Sequence, residues 1–229
     1  IGYPAAMSTL SVALRSARVR LDPRLRVVKV AVANSLCTPR RLINLRSIAQ
    51  AAAERNLPGA FVECGTFRGG SSAVIADRLA AARPDIDVYL FDVFTGMPKP
   101  GANDPQQAWA DVGKFVASPE IVRRTFELGH VAIVPERLHI TQGLYEDTLP
   151  GFDAPAICFL HVDCDWYEPV KLVIEKFYDR VTPGGTIVFD DYGDWSGCRK
   201  AVDEFIAARR LKVELLPIDR TSHYFIKPA

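Results

Sequence analysis

From Gly59 onward, short runs of apolar and β-branched residues alternate with segments of helical periodicity, and this alternation limits the possible folds more than any other feature. Strands that alternate with helices pair in parallel and carry helices on both faces of the sheet. The last two predicted strands follow each other without a helix, which indicates an antiparallel pair at one edge. The sequence therefore predicts an α/β, Rossmann-like fold with a mostly parallel seven-stranded sheet. The predicted strands are 60–64, 88–92, 138–141, 156–163, 186–190, 212–216 and 224–226.

Capping residues and apolar spacing predict helices between these strands. Ser71 is a residue type that caps helix N-termini well, and Pro169 suits the first turn of a helix. The sequence Thr-Pro-Gly-Gly at 182–185 predicts a turn before the fifth strand. The predicted helices cover 71–82, 168–180 and 197–210.

Residues 1–57 precede the alternating pattern and have a helical pattern of their own. Thr38 and Pro39 open a predicted helix that runs through Asn56. We predict a helical N-terminal arm or cap on one α/β domain of residues 58–229.

The arm is rich in basic residues, since residues 15–46 hold nine basic side chains against one acid, Asp22. One interpretation is a solvated helical face or a contact in an oligomer. The other is an arm that helps to close the site or steers an anionic ligand. The nine residues are Arg15, Arg18, Arg20, Arg24, Arg26, Lys29, Arg40, Arg41 and Arg46.

Segment 98–129 is a long connection that begins Pro-Lys-Pro-Gly. A connection of this length in a compact domain is more typical of a functional lid than of a passive loop. We predict that it orders over bound ligands and excludes water.

Composition excludes several classes of protein. The 229 residues include 48% apolar and 24% charged residues, which fits one domain with a sizeable core. A formal charge of +1 gives no argument for nucleic acid as a partner, and no apolar run approaches a membrane span. Residues 1–10 do not resemble a signal peptide. The five cysteines form no C-x-x-C pair, so we predict reduced thiols in a cytoplasmic protein.

A glycine-rich turn follows the first strand, as Glu63-x-Gly65-x-x-x-Gly69-Gly70. Glycines let the backbone pass close to a ligand, and the N-terminus of the next helix favours a carboxylate such as the methionine end of S-adenosylmethionine (SAM). Asp92 ends the second strand, where an acid can accept both ribose hydroxyls of a nucleoside. Together these features predict an adenosine-containing ligand. The alternatives are a simple tight turn and a capping aspartate.

Acidic residues follow two further apolar strands, as His161-Val-Asp163-Cys-Asp165 and as Asp190-Asp191. Because the strands are predicted neighbours, the carboxylates should converge at one edge of the sheet. Three or four hard oxygen ligands without a requirement for Cys or His suit Mg²⁺, or Ca²⁺ and Mn²⁺ as substitutes. Clustered carboxylates also destabilise one another unless a cation neutralises them. The alternative is that the acids bind an amino group of a substrate without metal.

With these motifs in order, the chain resembles the macrocin O-methyltransferase family, the sugar O-methyltransferases of macrolide and aminocoumarin antibiotic pathways. The resemblance runs from about residue 40 to the end, and its matching segments are 61–71, 92–98, 143–150, 162–168, 183–192 and 199–205.

The resemblance implies a class I methyltransferase that depends on SAM and Mg²⁺ and methylates a sugar hydroxyl of a secondary metabolite. Carried over residue by residue, the metal ligands are Asp163, Asp190 and Asp191. The implied cofactor residues are Glu63, Gly65, Thr66, Phe67, Ser71, Asp92 and Gly143. The chain departs from the family pattern at Val93, Cys164 and Pro169, which remove no proposed ligand but change the expected lining of the acceptor pocket.

An alcohol is a poor nucleophile until its proton is drawn off. We expect metal coordination to stabilise the developing alkoxide and an adjacent base to remove the proton. Asp163 is the first choice for ligand and base, with His161 as a substitute base or a buried structural histidine. Catechol methyltransferases place a Lys where this chain has Trp166, which disfavours a catechol or phenolic acceptor. Trp166 then forms a pocket wall or packs at the helix start.

The remaining alternatives are a different nucleotide-binding enzyme and a non-catalytic SAM-binding protein. The expected partners are a small-molecule acceptor, in the form of a glycosylated natural product, and further copies of the chain in a homo-oligomer.

Overall fold

A computed structural model describes residues 25–228, which contain one seven-stranded sheet in the order β3-β2-β1-β4-β5-β7-β6. The pairs among β1 to β5 are parallel, whereas β7 is antiparallel to both β5 and β6. This confirms the predicted mostly parallel sheet and its antiparallel edge. The strands are β1 (Ala60–Cys64), β2 (Val88–Asp92), β3 (Leu138–Gln142), β4 (Ile157–Val162), β5 (Val181–Phe189), β6 (Leu216–Pro217) and β7 (His223–Ile226).

Successive strand residues point to opposite sides of the sheet, so both of its faces carry apolar side chains. Helices cover both faces. Phe61 and Leu90 belong to the core beneath α1 to α4, whereas their neighbours Val62 and Phe91 belong to the core beneath α6 and α7. The α-helices are α1 (Arg26–Val32), α2 (Pro39–Glu54), α3 (Gly70–Ala82), α4 (Pro119–Gly129), α5 (Tyr145–Thr148), α6 (Tyr167–Phe177) and α7 (Ser196–Ala208).

The described part of the N-terminal arm packs into the same core as the sheet. Thr38 caps α2 by accepting from the Arg41 backbone N–H, as its sequence predicts, and α2 ends at Glu54. Val28 and Leu42, from α1 and α2, are fully buried in the cluster that contains Phe61. Residues 25–57 are therefore a structural part of the domain. Arg15, Arg18, Arg20 and Arg24 lie outside the described residues.

Helix α3 begins differently from the prediction. Its N-cap is Gly69, whose φ of 81° lies in the left-handed region that favours glycine, and the helix starts at Gly70. Ser71 therefore lies inside the first turn, and its hydroxyl donates to Glu63 rather than capping the helix.

Residues 182–185, predicted as a turn, form an excursion within β5. Val181 pairs with Ile157 and Thr186 pairs with Phe159, so the residues between them lie opposite a single residue of β4. The glycines and proline bend the strand without ending it.

The sixth strand is shorter than its alternating sequence predicts. Only Leu216 and Pro217 pair with β7, and no ladder forms over 212–215. Val213 and Leu215 pack instead against the core beneath α7. The alternating apolar residues are therefore partly buried although this segment does not pair as a strand.

The predicted lid contains two parts. Helix α4 at its C-terminal end buries Val122 and Phe126 in the core and packs against α1. The preceding part, 98–118, crosses the carboxyl ends of the strands and includes a short 3₁₀ helix at Gln106–Asp111. Its base is closed by backbone hydrogen bonds between Met97 and Lys114 and between Gly113 and Met97. We call 98–118 the lid segment, and ligand-dependent ordering of it stays a prediction.

Asp104 fastens the lid segment to the body of the domain. Its carboxylate accepts from the backbone N–H groups of Gly101 and Tyr167, each at 2.8 Å, and the second of these begins helix α6. A carboxylate at a helix N-terminus satisfies a free donor and interacts favourably with the helix dipole.

Two predictions from composition can be compared with the fold. All five cysteines are free and buried. Between residues 25 and 228, every helix is too short or too polar to cross a membrane.

We expect Asp104→Ala to release the lid segment, because two N–H groups lose their acceptor. The unfolding free energy should fall by about 1 kcal/mol, as for the loss of a helix cap. Hydrogen exchange at the Gly101 and Tyr167 amides should accelerate. Asn103→Ala, at an adjacent exposed position, is the control. Unchanged exchange at both amides would contradict this role.

Candidate active site

A cavity of about 480 Å³ opens at the carboxyl ends of the central strands. The strand order reverses between β1 and β4, and ligands in open α/β sheets bind beside such a reversal. The cavity brings together most of the predicted site residues: Gly65, Thr66, Phe67, Ser71, Asp92, Gly143, Asp163, Asp190 and Asp191. Glu63 and His161 do not line it and lie buried beneath its floor.

Gly65 allows the backbone of β1 to pass close to the end of β4. Its φ is 94°, and a Cβ there would lie 1.5 Å from the Asp163 carbonyl oxygen, so only glycine fits. The turn after it then reaches the second strand, where the Phe67 N–H donates to Asp92 at 2.7 Å. The Phe94 N–H donates to the other Asp92 oxygen, also at 2.7 Å. Burial raises the pKa of Asp92 although these backbone hydrogen bonds lower it.

Glu63 does not contact the cavity directly, unlike its predicted role at the cofactor. It is fully buried and accepts from the hydroxyls of Ser71, at 2.9 Å, and Ser72. Because Ser71 lines the cavity in the first turn of α3, Glu63 acts on the cofactor pocket through this side chain.

His161 links the cofactor side of the site to its acidic side. Its Nδ1 lies 2.7 Å from Glu63 Oε1, and its Nε2 lies 3.7 Å from Asp190 Oδ1. Burial lowers the pKa of His161, but the carboxylates of Asp190 and Glu63 outweigh burial and raise it to about 10. A general base must reach the proton that it removes, and this fully buried ring faces carboxylates on both sides. The geometry therefore does not support His161 as a substitute base and gives it a positioning role.

Asp163, Asp190 and Asp191 each offer a carboxylate oxygen within 4.8 Å of the others. Burial and the neighbouring carboxylates raise the pKa of Asp163 and of Asp191 well above the ordinary range. The pKa of Asp190 is lowered, because His161 and Arg41 together outweigh its burial. Burial and repulsion among the carboxylates therefore both act against the charged forms of Asp163 and Asp191.

The donor atoms of this cluster fit a hard divalent cation. Asp190 Oδ1 and Asp191 Oδ2 are buried and have no hydrogen-bond partner among the described residues. A buried carboxylate oxygen without a partner is costly, and a cation would satisfy both oxygens. Three carboxylates without sulfur or imidazole ligands suit Mg²⁺.

Asp165 and Trp166 follow the first of these acids and also line the cavity. Asp165 has a φ of 56° and lies outside the group of three carboxylates. Burial and the Asp190 charge raise the pKa of Asp165 to about 7. Trp166 packs edge-to-face on Trp195 with ring centroids 4.9 Å apart and donates to the Pro98 carbonyl at 3.1 Å. Trp166 is thus a pocket wall that holds the start of the lid segment.

The N-terminal arm contributes cavity residues that the sequence did not single out. Ser35, Leu36, Cys37 and Arg41 line the cavity, and Arg41 Nη1 lies 2.5 Å from Asp190 Oδ2. The one available signal was the excess of basic residues, which did not distinguish Arg41 from its neighbours.

The strand order, the glycine-rich turn after β1 and the acid that ends β2 are typical of the class I, Rossmann-like methyltransferase fold. The structure of the O-methyltransferase NovP is similar, with a TM-score of 0.75, 28% identity and coverage of 86% of this chain and 83% of that chain. The calicheamicin methyltransferase CalS11 shares the fold, with a TM-score of 0.63, 21% identity and coverage of 97% of this chain and 94% of that chain.

The chain belongs to the macrocin O-methyltransferase family, whose sequence model matches residues 13–227. This confirms the resemblance and the prediction of an enzyme that transfers methyl groups to oxygen. A demethyldecarbamoylnovobiocin O-methyltransferase of Streptomyces niveus is 32% identical over 201 residues, which are 85% of this chain and 76% of the relative. A mycinamicin III 3''-O-methyltransferase of Micromonospora griseorubida is 28% identical over 206 residues, which are 86% of this chain and 80% of the relative.

We expect Asp92→Ala to weaken binding of S-adenosylhomocysteine (SAH) or SAM by about 1–3 kcal/mol, because ribose hydroxyls would lose their acceptor. Isothermal titration calorimetry measures the change. Asp87→Ala, just before the amino end of the same strand, should leave the affinity unaltered. Equal affinities of wild type and Asp92→Ala would move the ribose site elsewhere.

Proposed function

We propose that this enzyme uses SAM and Mg²⁺ to methylate a hydroxyl on the sugar of a glycosylated secondary metabolite, in antibiotic biosynthesis. The observation that carries the proposal is the group of three carboxylates, Asp163, Asp190 and Asp191, beside the glycine-rich cofactor pocket. A cytoplasmic location and a homo-oligomer stay predictions.

The activities of the relatives support the choice of acceptor. Their names specify demethyldecarbamoylnovobiocin, a rhamnosyl-tetracenomycin and mycinamicin III as substrates, each for that relative alone. Two of the three names give the methylated oxygen a primed number, 4' and 3'', which marks a substituent of the parent compound. A sugar carried by a larger aglycone is the acceptor class that we propose for this chain.

The charge of the cavity limits the acceptor further. Nine carboxylate side chains line the cavity against two cationic ones, Arg41 and Lys99. A surplus of negative charge attracts the sulfonium of SAM and a divalent cation, and it repels phosphate. A neutral or cationic glycoside therefore fits this cavity better than a sugar nucleotide.

The cofactor would lie over the ends of β1 and β2. The start of α3 offers backbone N–H groups to the carboxylate of SAM, with Ser71 beside them. Asp92 would accept the ribose hydroxyls, and Gly65 keeps the floor clear of side chains. In this arrangement the methyl group would point toward the acidic half of the cavity.

Asp163, Asp190 and Asp191 would hold Mg²⁺. When bound, the cation would act as a Lewis acid that makes a coordinated hydroxyl easier to deprotonate.

Asp163 is the residue that we propose as base. It is the least buried of the three carboxylates and lines the cavity at the end of β4. The acceptor hydroxyl gives its proton to an Asp163 oxygen as the acceptor oxygen forms a bond to the methyl carbon. The bond from that carbon to sulfur breaks, and SAH leaves. Trp166 and the lid segment would exclude water during this step.

Two alternatives receive less support. Trp166 occupies the position at which catechol methyltransferases place a Lys, so a phenolic acceptor lacks its expected partner. A non-catalytic protein would have no need for buried, mutually repelling carboxylates, since such groups cost stability.

We expect Asp191→Asn to abolish metal binding and turnover while leaving SAH affinity within about 0.5 kcal/mol, because the cofactor contacts lie on other strands. Mn²⁺ binding by electron paramagnetic resonance (EPR) tests the metal without an acceptor. Turnover is followed as SAH release with demethylated glycosides such as demethyldecarbamoylnovobiocin. Asp179→Asn, an exposed acid after α6, is the control.

Chelation with EDTA should stop SAH release, and added Mg²⁺ should restore it. Full activity in EDTA would show that the metal mechanism is wrong. A metal-free reaction with Asp163 as the sole base would then replace it.

A further inference from the structure

Arg41 connects the N-terminal helix α2 to the acidic floor of the cavity. Its Nη1 lies 2.5 Å from Asp190 Oδ2, and its Nε lies 2.8 Å from Asp219 Oδ2. Its Nη2 donates to the Thr221 hydroxyl. The Arg41 side chain is only 14% exposed, and its guanidinium is planar, so its donors point in fixed directions.

The loop that holds the other side of Arg41 is itself well fixed. Asp219 Oδ1 accepts from the backbone N–H groups of Thr221 and Ser222, each at 2.9 Å. The Asn44 amide, one turn along α2 from Arg41, donates to the Ile218 carbonyl at 2.7 Å. The guanidinium therefore has a rigid support and cannot follow a rotation of the Asp190 carboxylate.

The two oxygens of Asp190 consequently differ. Oδ2 accepts from Arg41 at 2.5 Å and from the Cys37 thiol at 4.0 Å, whereas Oδ1 is buried and has no hydrogen-bond partner among the described residues. Oδ1 lies 3.7 Å from His161 Nε2, which is longer than a hydrogen bond. Asp190 thus has one oxygen, Oδ1, that no hydrogen bond occupies and that can serve as its ligand in the group with Asp163 and Asp191.

The number of oxygens that a carboxylate can offer distinguishes one divalent cation from another. Mg²⁺ requires six ligands in a near-ideal octahedron, whereas Ca²⁺ accepts six to eight ligands and commonly binds both oxygens of a carboxylate. We propose that Arg41 is a positioning residue that restricts Asp190 to one ligand oxygen and thereby selects Mg²⁺ over Ca²⁺. The inference rests on the metal site of the proposed function.

Selectivity isolates this effect from the charge of Arg41. Removal of Arg41 takes away a positive charge, which strengthens the attraction of the site for any divalent cation. It also leaves the Asp190 carboxylate free to rotate, which weakens cation binding. The charge effect is shared by Mg²⁺ and Ca²⁺, since both carry the same charge. The ratio of their affinities therefore reports the geometry of Asp190.

The experiment measures displacement of bound Mn²⁺ by Mg²⁺ and by Ca²⁺, with free Mn²⁺ followed by EPR. In wild-type enzyme, Mg²⁺ should be the stronger competitor. In Arg41→Met, Asp190 gains its second oxygen, and the affinity ratio should move toward Ca²⁺ by about tenfold, the usual scale for one charge-assisted hydrogen bond. No acceptor is required.

Two variants accompany this measurement. Arg40→Met removes the adjacent, exposed arginine of the same helix and should keep the wild-type ratio. Arg41→Lys keeps the charge but cannot span Asp190 and Asp219 at once, so its ratio should shift in the same direction by less. It also serves as the test if Arg41→Met does not fold, as judged by thermal melting.

The outcomes separate this inference from the proposed function. If wild-type enzyme does not bind Mn²⁺, the metal site itself is refuted and this inference with it. If Mn²⁺ binds and the ratio is the same in wild type and both Arg41 variants, only the role of Arg41 is refuted. A shift of equal size in Arg40→Met would also overturn it, because the effect would then not depend on the contact between Arg41 and Asp190.

Discussion

Mutual repulsion of the buried carboxylates at the ends of β4 and β5 is the interaction on which the rest of the site depends. Asp163, Asp190 and Asp191 lie within 4.8 Å of one another, and such a group is stable only when positive charge surrounds it. Arg41 supplies part of that charge from helix α2. Two carboxylate oxygens still lack a partner among the described residues, and they define where a cation fits.

The same network joins the two halves of the cavity. His161 lies between Glu63 and Asp190, and Glu63 in turn holds the Ser71 hydroxyl at the start of α3. The floor below the cofactor pocket is therefore continuous with the floor below the acidic cluster. Glu63 and His161, which the sequence predicts to contact ligands, lie below the cavity instead, beside Ser71 and Asp190, which line it.

The N-terminal segment and the lid segment both line the cavity. Gly70 at the start of α3 donates to the Asn34 carbonyl, so the connection between α1 and α2 covers the first turn of the cofactor helix. Asp104 holds the lid segment against α6. Such fastening by a few hydrogen bonds suits a segment that opens for substrate, because each bond contributes about 1 kcal/mol.

The sequence by itself determined the order of elements, the sheet class and the strand ends that carry chemistry, because periodicity and glycine, proline or acidic residues at strand ends are local signals. It also identified Gly65, Asp92 and the three carboxylates, since parallel strands bring their carboxyl ends to one edge. Tertiary structure alone decided that Arg41 meets Asp190, at a separation of 149 residues, and that His161 faces carboxylates on both sides. It also decided that residues 212–215 pack without pairing. These outcomes depend on how separate elements pack in space, which no local pattern specifies.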